Sequence, residues 1–238
     1  SVDVYGSDAQ PTNATSQNVL FRMTLTDSDH HMAYSVASAD YLDRIKVLVD
    51  EDTPASLIYA ALELRCGVEA RLREYIETID HIPKAQKKEW AVAKLGRSIE
   101  SAYRTGDKMM IFTILFPEDG AQLRLMYTPV SKRLQDIAKR LGDYLHAPRP
   151  CEIENPAWWQ QLRDLLKEAY PLLMLACSGE LIGLPLIHRP TNRLNVHVLL
   201  SGDDARSVLL PRITQGAEHT LRVEYIEPIP GSFTFYES

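Results

Sequence analysis

Most of the signatures that would classify this chain at a glance are missing. It has three cysteines, Cys66, Cys151 and Cys177. Their odd number and wide spacing match neither a disulfide framework nor a zinc-ligand pair, so they read as free thiols of a reducing compartment. No HExxH pattern occurs and no histidine stands with a cysteine at a zinc spacing; no metal is expected. The GxGxxG turn, the Gly-rich phosphate loop ending in Lys-Ser/Thr and the GxSxG elbow are also missing, which leaves dinucleotide, P-loop and serine-hydrolase chemistry without support. The longest apolar stretch, AYPLLMLACSG (169–179), is too short to cross a membrane. The expectation is a cytoplasmic protein with no cofactor and no membrane association.

What remains is ordinary globular material, 45% hydrophobic and 24% charged, enough to bury a sizeable core. Phe21, Met23 and Leu25 alternate with polar neighbours and predict a strand. From about residue 28 the period becomes helical, with Ser28 or Asp29 as cap. Thr53 and Pro54 then open a second helix. Its stripe is Leu57, Ala61, Leu64, Val68, Leu72, Tyr75 and Ile79. A third helix is PKAQKKEWAVAKLGRSIESAYR. In MMIFTILFPEDGAQLRLMY (109–127) two β-rich runs flank a Pro-Glu-Asp-Gly turn, the pattern of a hairpin.

Thr128-Pro129 and Asn155-Pro156 predict the starts of a fourth and a fifth helix. Beyond Gly179 the runs LNVHVLL, LRVEYI and SFTFY read as a small antiparallel sheet, which the strand near residue 20 can join. The predicted fold class is therefore α+β, predominantly α. An N-terminal segment with one strand covers 1–27. An up-and-down four- or five-helix bundle with an inserted β-hairpin covers 28–178, and a β-rich C-terminal module covers 179–238.

The net charge of −6 argues against nucleic-acid binding by the whole surface. Its distribution is uneven. Residues 50–80 hold eight carboxylates against three arginines, whereas 84–108 hold seven cations against three carboxylates and 128–150 five against two. Opposite helix charges attract one another; the alternative is a basic phosphate groove between the third and fourth helices. The RNA-contact candidates are Lys132, Arg133, Lys139 and Arg149.

At the end of the fourth helix Arg140, Asp143 and His146 stand three apart, a spacing at which Asp143 can reach both neighbours. In a catalytic reading His146 exchanges protons, Arg140 steadies a phosphate and Asp143 holds the imidazole. In a structural reading His146 complements the helix C-terminus and Arg140 pairs with Asp143 at the surface. On the second helix Arg65, Glu69, Arg73 and Glu77 stand at ladder spacing.

AALELRCGVEARLREYIE (60–77), followed downstream by RLGDYLHAP (140–148), resembles bacterial members of the HEPN superfamily. Five residues separate Arg140 from His146, as in that family's Arg-x4–6-His motif, although Leu141 stands where the family usually carries a polar residue. The resemblance implies a metal-independent endoribonuclease of the toxin or phage-defence type. Its site would be composite, made by a homodimer acting on RNA, with an antitoxin-like protein partner and Glu69 as an orienting carboxylate. It equally admits a noncatalytic dimerisation and binding scaffold whose C-terminal β-module takes a partner.

Overall fold

A computed structural model of the chain describes residues 19–26, 35–88, 91–188, 191–201 and 203–227. Strand β1 (Val19–Thr26) is followed by helices α1 (Asp40–Glu51) and α2 (Pro54–Glu77). The start of α2 follows the sequence signal. The Thr53 hydroxyl accepts from the Ser56 amide, the Ser56 hydroxyl accepts from the Thr53 amide, and Pro54 sits in the first turn. The helix expected from residue 28 begins instead at Asp40, and residues 37–39 just before it form a turn. Ser38 commits both its amide and its hydroxyl to the Glu74 carboxylate at 2.8 Å, which fixes that turn to α2.

The third expected helix is divided into α3 (Lys84–Lys87) and α4 (Val92–Tyr103). Strands β2 (Met109–Leu115) and β3 (Gln122–Tyr127) form the expected hairpin, with Gly120 at φ +72° in its turn. Helix α5 (Lys132–Tyr144) starts later than Thr128-Pro129, capped by Ser131. Thr128 is engaged elsewhere: its hydroxyl donates to the Ala176 carbonyl and its own carbonyl accepts from Tyr75. A short α6 (Pro150–Ile153) precedes α7 (Pro156–Cys177), which Asn155 caps as expected.

Helix α2 is the axis of the helical layer and packs against α1, α4, α5 and α7. Ala60, Ala61, Leu64, Val68, Tyr75 and Ile76 of α2 are fully buried there. Removing such side chains from water is the main favourable term holding the helices together.

The remaining elements are β4 (Leu186–His188), β5 (Arg193–Ser201), a 3-10 turn (Ala205–Leu209), α8 (Leu210–Thr214) and β6 (Thr220–Ile226). They do not make one C-terminal sheet. β6 pairs antiparallel with β2 in the order β3-β2-β6, and β5 lies between β4, antiparallel, and β1, parallel, in a second sheet. The correction has a visible cause in MMIFTIL. Met109, Met110, Phe112, Thr113 and Ile114 are buried and Ile111 half-buried, a nearly unbroken run suited to the central strand of a covered sheet, and a central strand takes a partner on each edge. SFTFY lies outside the described residues.

Candidate functional site

Helix α5 turns Leu134, Ile137, Ala138 and Leu141 into the core, and this fixes the bearing of its charged residues. Arg140 and Asp143 are exposed on the opposite side. The helix ends at Tyr144, so His146 lies past the cap in a bend, also exposed. The expected helical row of three is thus interrupted before its last member. Among the described residues no hydrogen bond or ion pair joins Arg140, Asp143 and His146. Leu141 is fully buried, which explains an apolar residue beside Arg140.

Glu69 is held by Arg65, whose Nε donates to Oε1 at 3.1 Å. The Arg65 guanidinium lies against α5: a Cβ built on Gly142 would sit 2.5 Å from its Nη1. Arg65 of α2 thus meets α5 beside the Arg140–Asp143 segment, and among the described residues the Glu69 side chain is bonded to Arg65 alone. Of the expected ladder this pair forms; Glu77 meets Lys87 instead.

The four RNA-contact candidates differ in what holds them. Arg133 makes a two-pronged pair with Glu168 of α7, at 2.5 and 2.7 Å. Arg149 binds Glu152 and Lys132 binds Asp136. Lys139 is exposed and has no such partner among the described residues. Exposed pairs of this kind are weak and exchange readily with solvent.

A cleft of about 560 Å³ lies between α4 and α5, where the two cation-rich segments face each other. Its floor is apolar: Leu72, Tyr75, Ile99, Tyr103, Tyr127 and Val130. The three tyrosines form a cluster, Tyr75 and Tyr127 with ring centroids 5.3 Å apart and Tyr103 edge-on to Tyr127 at 5.8 Å. Burial pushes all three hydroxyls above the ordinary tyrosine range, so they remain protonated donors near neutral pH. The Tyr103 hydroxyl lies beside Thr78 and Leu184 without a well-formed hydrogen bond.

At the rim Asp136 holds the Lys132 ammonium and Asp107 accepts the Lys132 amide at 2.8 Å. Arg97 of α4 and Lys139 of α5 are left unengaged among the described residues, as is Glu100. The charge count along the sequence pointed to this groove; its aromatic floor was not legible there, because Tyr75, Tyr103 and Tyr127 come from three separate elements.

The sequence reading also missed Arg71, which is 1% exposed. Its Nε donates to the Ala176 carbonyl at 2.8 Å and to the Tyr75 hydroxyl at 2.9 Å, Nη1 to Glu74 at 3.0 Å and Nη2 to the Gly179 carbonyl at 3.0 Å. Burial opposes its charge, but Tyr75 and Glu74 outweigh that and hold the guanidinium protonated. A signal was present: Leu64, Val68, Arg71 and Tyr75 recur at four, three and four, so the arginine stands within the apolar stripe.

No family model, curated protein or solved structure matches the chain. Any functional assignment therefore rests on the geometry above. Among the described residues no group of three His, Cys, Asp or Glu side chains gathers to hold a metal ion, and no helix is long and apolar enough to cross a membrane.

Proposed function

We propose that the chain is a noncatalytic cytoplasmic scaffold on a HEPN-like, up-and-down helical bundle, which holds a ligand in the cleft between α4 and α5. The observation that carries this reading is the state of Arg140, Asp143 and His146: exposed, unlinked and split by a helix end. General acid–base catalysis on a phosphodiester needs a base and a charge-stabilising group held in register. A row without mutual contacts supplies neither. The cleft, by contrast, combines concave volume, an aromatic floor and unengaged rim charges, the usual composition of a binding site. The three free cysteines fit a reducing compartment.

The test is incubation of the purified protein with a mixed RNA pool in the presence of a chelator, beside His146→Ala and Arg140→Ala. The parent is expected to leave the RNA intact. Cleavage by the parent that disappears in both folded variants would overturn the reading. Light scattering would then show whether a second copy completes the site.

A further inference from the structure

Strand β6 stands last in the order β3-β2-β6 and is bonded to β2 along one side; among the described residues no strand pairs with its other side. An edge of that kind offers a row of N–H and C=O groups to any strand that fits it. The usual protections are missing from it, since TLRVEYI contains no proline, glycine or lysine. We propose that this edge pairs antiparallel with β6 of a second copy of the chain, about a two-fold axis through Val223, joining the two three-stranded sheets edge to edge. No residue of β6 lines the α4–α5 cleft, so a dimer formed here is independent of what the cleft holds.

The apolar face of the sheet runs on into this edge. Leu221, Val223 and Tyr225 stand opposite Ile114, Phe112 and Met110 of β2, and those three are buried. Opposite residues of an antiparallel pair share a face, so the row on β6 continues the covered one. Yet Val223 is 41% exposed and Tyr225 53%. A second β6 laid alongside would place Val223 on Val223 and Leu221 on Tyr225, twice over, and take this row out of water.

The charges select a second copy and fix its register. On the other face Arg222 and Glu224 form an ion pair at 2.8 Å within the strand, a surface pair that exchanges readily. About Val223, Arg222 of each copy lies opposite Glu224 of the other, so the four charges alternate in sign and all seven residues of the strand overlap. Centring the pair on Arg222 or on Glu224 sets like charges face to face and shortens the overlap, which is destabilising. A centre between two residues would set apolar against charged side chains and lose the hydrogen-bonded alignment. The patch is thus complementary to itself, as a two-fold interface requires.

Sedimentation equilibrium of the full chain tests this, with circular dichroism to confirm that each variant folds. The parent is expected to dimerise. Arg222→Glu and Glu224→Arg each turn two attractive cross-strand pairs into repulsive ones and should each raise the dimer dissociation constant roughly tenfold. The two substitutions move the net charge in opposite directions, so a whole-molecule charge effect would strengthen one variant and weaken the other. Arg222→Glu combined with Glu224→Arg sets opposite charges face to face again and should return the constant to near the parent value. A parent that stays monomeric at its highest soluble concentration would overturn the proposal. So would a dimer that ignores both single substitutions, or one that the double variant fails to restore. A monomeric parent that dimerises once residues 228–238 are removed would assign the edge to the chain's own SFTFY run and overturn it equally.

Discussion

Arg71 shows what a single side chain contributes to this architecture. Its planar fork reaches two carbonyls, a hydroxyl and a carboxylate at once, joining α2 to the end of α7 and the segment after it. Lysine, a point charge on a flexible stem, cannot reproduce that set. Arg71→Met removes the buried cation, leaves the Glu74 carboxylate with its Ser38 bonds and no counter-charge from Arg71, and takes from the Gly179 carbonyl its Arg71 donor. We expect a loss of about 3–5 kcal/mol in urea unfolding, a large share of a domain's stability. Glu74→Gln in the same background should recover part of it.

Asp204 gives a pH dependence of definite sign. Its side-chain hydrogen bond with Arg206 holds the carboxyl below its usual value. The stabilisation is therefore full above the unfolded carboxyl's pKa and is lost as pH falls through the lowered folded value. The thermal midpoint followed from about pH 6 to about pH 2 should fall less in Asp204→Asn than in the parent over the acid end.

At the scale of elements, the legible features were those decided by neighbouring residues. Thr53-Pro54, Asn155-Pro156 and the Pro-Glu-Asp-Gly turn all sit where local chemistry puts them. The illegible ones depended on distant partners. Thr128 looked like a helix start, but its hydroxyl and carbonyl are taken by Ala176 and Tyr75, so α5 waits for Ser131. LRVEYI has the alternation of a strand, yet nothing in its six residues states that its neighbour is β2 rather than β5. The candidate site divided in the same way: charge excess located the α4–α5 groove, whereas the fate of Arg140, Asp143 and His146 turned on where α5 stops.

The junction after α7 is equally dependent on close packing. A Cβ on Gly179 would lie 2.7 Å from the Met126 carbonyl oxygen and 2.7 Å from the Thr128 hydroxyl, and the backbone oxygen has little room to move. Gly179→Ala should cost about 1–3 kcal/mol, the range for overpacking. Chemical denaturation measures it, and the loss of Arg71's contact with the Gly179 carbonyl should make Gly179→Ala less than additive with Arg71→Met.

For the whole molecule, bonds across residues 178 and 179 tie the helical layer to the strands that follow. Arg71 reaches Gly179, Leu181 donates its amide to Met126, Arg206 reaches Glu180 and the Arg124 carbonyl, and β6 covers an edge of β2. A chain ending at Ser178 would leave that edge open and several buried groups unpartnered. We expect such a fragment to aggregate or to unfold at a much lower temperature than the full chain; a soluble fragment with parent-like helicity and midpoint would refute this.

The pairing of β1 with β5 has a consequence in time. Val19 lies beside Leu194 and Thr26 beside Ser201, and the helices α1 to α7 are all synthesised between the two strands. At about 5–20 residues per second the wait between them is on the order of ten to thirty seconds. Helical contacts, being shorter in sequence, can form during that interval. VLFRMTLT must then stay unpaired on the nascent chain until the strand made long after it arrives, so a chaperone that shields this one segment would raise the yield of native protein more than one acting on the helices.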